Sequence, residues 1–153
     1  MALQVELVSP ERVLFSGEAE MIIARTVGGG DIAFMDGHAP FVGALEVATA
    51  TIAATAGDEE QVAVHGGFIE VTTEPGAPMG SSAPGDAAAD ATAGTRTVVT
   101  ILSDVAELSG EIDVARARQA MDRAQQAQQD RSDSEAEAAL RRANVRLAAA
   151  DAL

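Results

Sequence analysis

Residues 99–123 read VTILSDVAELSGEIDVARARQAMDR, and the composition of the chain changes within this stretch. The stretch begins in a pattern of short apolar runs, many with period-two alternation, which are separated by Gly, Pro, Asp and Ser clusters and fill residues 3–103. Such a pattern is typical of β-strands. From Asp104 onward, Ala, Gln, Glu and Arg replace glycine and the β-branched residues, which favours helices. The stretch therefore predicts an all-β part followed by a helical part.

The first part, residues 1–103, predicts a β-sandwich domain or flattened barrel of six to ten short strands. The apolar runs that carry this prediction are LQVEL, EMIIARTV, ATATIAATA, QVAV, GFIEV and TVVTIL. Segment 74–95, EPGAPMGSSAPGDAAADATAGT, differs from these runs because its three prolines, four glycines and small polar residues cannot bury much apolar area. We predict a flexible insertion there, between two strands.

The second part, residues 104–153, predicts an antiparallel hairpin of two helices with a break at QDRSDS. The first helix should begin near Asp113, whose carboxylate can accept from the free amide groups of the opening turn. Each helix has a stripe of mostly small residues at helical spacing. The stripes are Ala117, Ala120, Ala124 and Ala127 in the first helix, and Ala136, Leu140, Ala143, Leu147 and Ala150 in the second. Because alanine buries little area, the hairpin should dock weakly and reversibly.

Composition excludes several classes of protein. The 153 residues contain no cysteine, which rules out disulfides and thiolate metal sites. No apolar run approaches the length of a membrane span, and the N-terminus lacks the pattern of a secretion signal. The formal charge is −14, and seven of the ten arginines lie within residues 104–153. A first part this acidic would repel phosphate backbones, so no nucleic acid partner is expected.

The residues alone are consistent with two other functional classes. His38, His65 and Asp36 could supply a two-histidine, one-carboxylate metal site for a stand-alone β-sandwich enzyme. However, the histidines lack motif spacing, and no nucleophile or general base stands out, so we predict no catalytic residue and no metal. The second class is a free-standing sandwich that binds a partner peptide.

One face of the first helix carries charged side chains. Asp113, Arg116, Ala120 and Arg123 recur at helical spacing, so one face carries an acid and two guanidinium groups. This arrangement could be a solvated surface or could clamp an anionic ligand.

Five motifs in order identify the chain as similar to a known family, the epsilon subunit of bacterial F-type ATP synthases. The motifs are VELVSPERVLFSGEAE (5–20), GHAPFVGAL (37–45), VHGGFIEV (64–71), VTILSDVAE (99–107) and IDVARARQAMDR (112–123). The likeness spans nearly the whole chain except segment 74–95. It implies a non-catalytic central-stalk subunit, peripheral on the cytoplasmic face of the bacterial membrane and attached only through the complex.

The resemblance also implies partners and a mechanism. The sandwich of such a subunit contacts the gamma subunit and the membrane rotor ring, the c-ring. Its helical hairpin either folds down on the sandwich or extends toward the catalytic alpha and beta subunits, and the extended form blocks ATP hydrolysis. A two-state element of this kind needs a gap of only a few kcal/mol, which weakly docking helices can supply.

Individual residues acquire expected roles from the same resemblance. Asp31 occupies the acidic position that meets the polar loops of the rotor ring, and His38 resembles a residue near the gamma contact, although a turn histidine satisfied by backbone groups would look similar. Arg141, Arg142 and Arg146 form the basic group expected to face an acidic segment of the beta subunit. The spacing also places Glu137 one turn from Arg141, as an ion-pair partner.

A nucleotide motif of some epsilon subunits is met as well. Its positions are held by Ile112, Asp113, Arg116, Ala117 and Arg123, and Glu107 stands where the family has a supporting acid. The resemblance therefore implies ATP as a regulatory ligand, with no cofactor required. A solvated helix face is the alternative interpretation of the same residues.

Overall fold

The computed structural model describes residues 2–55, 57–75, 94–130 and 134–151. The described residues form seven β-strands, one 3-10 turn and two α-helices. Their bounds are β1 Leu3–Val8, β2 Val13–Thr26, β3 Gly30–Met35, β4 Phe41–Ala54, β5 Glu59–Pro75, β6 Thr95–Leu102, β7 Ala106–Leu108, the 3-10 turn Ser109–Glu111, α1 Val114–Asp130 and α2 Ser134–Ala149.

The strands close into a flattened barrel. Neighbouring strands follow the order β1, β6, β5, β4, β2, and β1 also pairs with β2, which closes the ring. All these pairs are antiparallel except β1 with β6. β3 extends the sheet beside β2, and β7 pairs with β5. The predicted sandwich followed by two helices is confirmed.

Period-two alternation determines which side chains fill the core. Leu3, Val5 and Leu7 of β1 are fully buried, and the residues between them are only partly buried. Phe34 and Ile52 are equally buried, on β3 and β4. Burying such side chains contributes roughly 1.5–3 kcal/mol each. The alternation read from the sequence therefore identifies the inward face of the barrel.

Three strands are longer than the short strands predicted. β2 and β4 have 14 residues each and β5 has 17. Strand β5 continues through the pair Gly66 and Gly67. In β5, Gly66 and Gly67 have φ of 91° and 120°, a region that favours glycine. A Cβ at Gly67 would overlap the Leu102 carbonyl oxygen and lie 2.9 Å from the Cα of Ser103.

The boundary between the two parts also differs from the prediction. The sheet does not end at 103, because β7 pairs with β5 and Ala106 joins the main core. β7 has only three residues of helix-favouring composition, so no local pattern marks it. At the predicted insertion, β5 runs on to Pro75 and pairs there with Thr95 of β6. Residues 76–93 lie outside the described residues.

The two helices form the predicted hairpin, and α1 begins where expected. The amide of Arg116 donates to the Asp113 carboxylate at 3.0 Å, so the predicted helix cap is confirmed. Ala117 and Ala124 are buried, but Ala127 is exposed because the α1 stripe is covered only in its first part.

Helix α2 is buried on two sides, of which the sequence predicted one. Ala136, Ala143 and Leu147 of the predicted stripe are buried. A second set, Val145 and Ala149, packs against Ala63 of β5 and Ile112 before α1. Helix α2 therefore contacts both α1 and the outer face of β4 and β5.

Candidate functional site

The hairpin joins the sandwich at a polar contact that involves three elements. Glu107 of β7 accepts a hydrogen bond from Nε of Arg146 in α2 at 2.5 Å, and the same carboxylate oxygen lies 3.3 Å from Nε2 of His65 in β5. These three side chains, which we call the root contact, border the apolar contact of Val145 with Ala63. Glu107, predicted as a support for nucleotide, is thus engaged by Arg146 in the docked hairpin.

His65 is the most enclosed member of the root contact. Its side chain is only 4% exposed. Burial lowers the pKa of His65 below its usual value, the nearby Arg146 lowers it further, and the hydrogen bond to Glu107 opposes both effects. The docked hairpin therefore favours neutral His65.

Each arginine of the predicted beta-subunit group has an acidic partner. Arg141 lies 3.5 Å from Glu137 and Arg142 lies 2.9 Å from Glu135, both within α2. The pairing of Glu137 with Arg141 that the spacing predicted is present. Arg146 is the member that crosses to the sandwich. Docking therefore leaves the basic group charge-neutralised, with two of its pairs on the solvent side, where such pairs are worth under about 1 kcal/mol.

The predicted nucleotide face divides into buried and exposed positions. Ile112 and Ala117 are buried and pack the base of the hairpin. Arg116 and Arg123 are exposed, and among the described residues their guanidinium groups have no hydrogen-bond or ion-pair partner. Arg123 lines a groove of about 350 Å³ between the helices, together with Glu135. At 1.5 Å rise per residue, the two arginines begin about 10 Å apart along one side of α1.

Asp31 forms a two-point ion pair across neighbouring strands. Nε and Nη2 of Arg25 donate to its two carboxylate oxygens at 2.8 and 2.7 Å. This contact holds the pKa of Asp31 below its usual value. Both side chains are about half exposed, so the pair remains open to an incoming partner.

His38 lies in the turn before β4, with Nδ1 2.7 Å from the carbonyl oxygen of Ala39 and its ring against Phe34 and Phe41. It is far from His65, because His65 pairs with Val47, six residues further along β4 than Phe41. At ~3.3 Å per residue the separation is roughly 20 Å. The two histidines cannot share a metal ion, and no cluster of three potential metal ligands occurs within the described ranges.

Comparison with known proteins identifies the family. The ATP synthase epsilon chain of Streptomyces griseus is 39% identical over 147 residues, which cover 96% of this chain and 94% of that protein. The epsilon chain of Brevibacillus brevis is 41% identical over 121 residues, covering 79% and 74%. The chain belongs to the ATP synthase epsilon family.

A family model agrees with membership of the epsilon family, and a solved structure shares the fold. The family model described as the beta-sandwich domain of the ATP synthase Delta/Epsilon chain matches residues 2–75. One chain of the cryo-EM structure of the Euglena gracilis mitochondrial ATP synthase shares the fold, with a TM-score of 0.60 at 20% identity, covering 99% of this chain and 78% of that one. The predicted non-catalytic role is confirmed, because an epsilon chain is a stalk subunit and not an enzyme by itself. Neither described helix is long and apolar enough to span a bilayer.

One surface of this epsilon-family chain was not predicted from the sequence. Val8 pairs with both Val13 and Leu102, Leu102 pairs with Phe68, and Phe68 pairs with Ala44. These five side chains, which we call the apolar row, cross five strands on the outside of the barrel. Phe68 is 58% exposed, and Leu102 and Val13 are also exposed. The signal was present in GFIEV, where Phe68 shares the outward face with Glu70.

Proposed function

We propose that this epsilon-family subunit joins the gamma subunit and the rotor ring to the catalytic head of a bacterial F-type ATP synthase, on the cytoplasmic face of the membrane. We further propose that its hairpin restrains ATP hydrolysis by leaving the sandwich and reaching the alpha and beta subunits. The observation that supports this regulation is the small size of the contact between the hairpin and the sandwich. The apolar part of that contact is Val145 and Ala149 against Ala63 and Ile112.

Incomplete packing beneath α2 supports a reversible contact. A groove of about 590 Å³ opens between α2 and the outer face of the sheet, lined in part by Ile23, Thr49, Leu140 and Asn144. Side chains that border such a space lose part of their dispersion contacts. Docking therefore rests mainly on the small apolar contact around Val145 and on the root contact, which suits an element that has two positions.

The arginines of α2 give the extended hairpin its binding chemistry. When α2 leaves the sandwich, Arg146 loses Glu107, and Arg141 and Arg142 keep only exposed partners on the same helix. An acidic segment of the beta subunit can then take up all three guanidinium groups. Opposite charges at an interface fix its register and speed encounter.

The sandwich offers separate surfaces to the gamma subunit and to the rotor ring. The apolar row fits the gamma subunit, because an exposed apolar strip across five strands is typical of a protein interface. His38, in the turn before β4, is proposed to lie near the edge of that contact. Asp31 is proposed to meet the polar loops of the rotor ring, exchanging its half-exposed pair with Arg25 for a contact in the complex.

Replacing Phe68 with Asp should weaken binding to the gamma subunit by about 2 kcal/mol or more, the size of an interface hot spot. The side chain points outward, so the folded sandwich should remain intact. Gln119→Asp adds the same charge on the exposed face of α1 and serves as the control. Binding of the purified chain to the gamma subunit by calorimetry checks both variants. Equal affinities for Phe68→Asp and the control would contradict the assignment of this surface.

We also propose that ATP binds at the groove between the helices and favours the docked hairpin. Arg116 and Arg123 present two exposed guanidinium groups on one side of α1, and Arg123 lines the groove. Such groups can hold a phosphate chain through charge-assisted hydrogen bonds. Asp113 and Glu107 contribute by fixing the start of α1 and the root contact, and Ile112 and Ala117 by packing the base of the hairpin.

Arg116→Ala should weaken ATP binding by ~1.5 to 3 kcal/mol, the range for hydrogen bonds to charged groups. Arg118→Ala removes the same charge from a position about 200° around the helix from Arg116 and should change little. Calorimetric titration of the native chain and both variants measures the difference. No heat with the native chain at millimolar ATP, or equal losses in the two variants, would mean that this face holds no nucleotide.

A further inference from the structure

Within the part of the chain that the structure describes, the root contact contains a buried polar atom without a hydrogen-bond partner. Nδ1 of His65 is enclosed and has no hydrogen-bond partner among the described residues, whereas Nε2 faces Glu107. Buried polar groups are nearly always paired, so an exception calls for an explanation. The site lies where α2 joins the sandwich, and a change of charge at His65 is therefore a change at the docking contact.

Charged groups face His65 from two elements besides its own. Glu107 of β7 favours a protonated ring, and Arg146 and Arg142 of α2 disfavour it. On β4, the cross-strand neighbour is Val47, which has no charge. A neutral ring donates from Nε2 to Glu107 and leaves Nδ1 as a bare acceptor. A protonated ring would add a buried donor at Nδ1 with no acceptor, beside two guanidinium groups.

We propose that protonation of His65 releases the hairpin, so that the root contact is a proton-sensitive latch between α2 and the sandwich. The inference rests on the hairpin motion proposed above and adds the signal that controls it. When α2 leaves, Arg146 and Arg142 leave with it and His65 regains water. Glu107 is then free to pair with the protonated ring. The undocked chain therefore takes up a proton that the docked chain excludes.

The sign of the pH dependence follows from the lowered pKa of His65 in the docked chain. In the undocked chain, pairing with Glu107 holds the pKa of His65 at or above the ordinary histidine value of about 6.5, so docking is at full strength above that pKa and weakens as the pH falls through it. Between that value and the lower pKa of the docked chain, each pH unit should reduce the docking constant by up to tenfold. Below the pKa that His65 has in the docked chain, a further fall in pH should not weaken docking any more through His65.

The absence of cysteine allows a direct distance measurement in the full chain. Asp58→Cys and Gln125→Cys place spin labels on exposed positions of the sandwich and of α1. A Val145→Ala background weakens docking, so that docked and undocked chains are both populated. We expect the docked fraction to fall between pH 7.5 and 5.5, and His65→Gln to abolish this fall because its amide can still donate to Glu107. His38→Gln should retain the native profile.

Two results would overturn the latch. One is a docked fraction that is the same at pH 5.5 and 7.5 in the Val145→Ala background, and the other is an equal fall after His65→Gln. A second measurement uses the native chain and so does not depend on whether a variant folds. Proton NMR of the native chain, which has only two histidines, should show His65 titrating below 6.5, and titration at or above 6.5 also overturns the latch.

An Arg146→Glu chain separates the latch from the hairpin motion on which it rests. It places a carboxylate opposite Glu107 and should undock the hairpin at every pH. If the labels stay close in this chain, the hairpin does not move and both proposals fail. If they separate here while the Val145→Ala chain shows no pH dependence, the motion stands and only the latch is contradicted.

Discussion

A chain that ends at Glu111 should fold, bind the gamma subunit and lose the ability to restrain ATP hydrolysis. It keeps all seven described strands, the β5–β7 pairing and the ion pair of Arg12 with Glu111 at 2.6 Å. The truncation uncovers the apolar contact on Ala63 and removes Arg146 from Glu107. We expect the truncation to lower the free energy of unfolding by ~2 kcal/mol, which corresponds to a fall in Tm of no more than about 10 °C. Calorimetry and hydrolysis assays of the reconstituted complex measure the two effects.

The informative comparison is with the complex that contains the full chain and with the complex that lacks this subunit. Hydrolysis with the shortened chain should match the rate of the complex lacking the subunit, while binding to gamma stays at the level of the full chain. Unchanged restraint would show that the sandwich inhibits without the helices. Failure to bind gamma would show that the two parts are not separable.

Gly67→Ala should destabilise the sandwich by about 3 kcal/mol or more. A φ of 120° is a conformation that side-chain-bearing residues rarely adopt, and the new methyl group would overlap the carbonyl oxygen of Leu102 in the paired strand. Relief requires movement of backbone in both β5 and β6, because the obstacle is not a flexible side chain. Denaturant unfolding of the two proteins gives the difference in the free energy of unfolding.

Gly110→Ala is the matched control for this substitution. Gly110 lies in the 3-10 turn, its φ is outside the left-handed region, and a Cβ there meets nothing within 4 Å. Its effect should stay within about 0.5 kcal/mol. A similar loss of stability in both variants would mean that backbone entropy in strands and turns, and not the overlap with the Leu102 carbonyl oxygen, determines the destabilisation.

Local patterns predicted those parts of the fold whose neighbours lie close in the sequence. The apolar run LQVEL predicted the strand that forms β1, and the position of Asp113 predicted the start of α1, because each depends on a few consecutive residues. β7 was not predicted, since three residues of helix-favouring composition become a strand only through pairing with β5. The second buried face of α2 depends likewise on a distant surface around Ala63.

The candidate site was less predictable because its residues meet across long stretches of chain. Arg146 and Glu107 are 39 positions apart, and His65 lies 42 positions from Glu107. The resemblance implies other contacts for Glu107 and Arg146, and the sequence offers His65 only as a candidate metal ligand. No local spacing relates the three, so their meeting required the strand order and the position of α2.

The parallel pairing of β1 with β6 has a consequence for synthesis on the ribosome. Gln4 is paired with Val98, so β1 leaves the exit tunnel long before β6 and must wait for it before the ring can close. Contacts so distant in sequence are slow to form, because most of the chain must first be gathered into place. The helices leave the tunnel after β6, when the strands that form the outer face of β4 and β5 have already emerged. Their attachment to that face therefore follows the gathering of the ring and does not have to precede it.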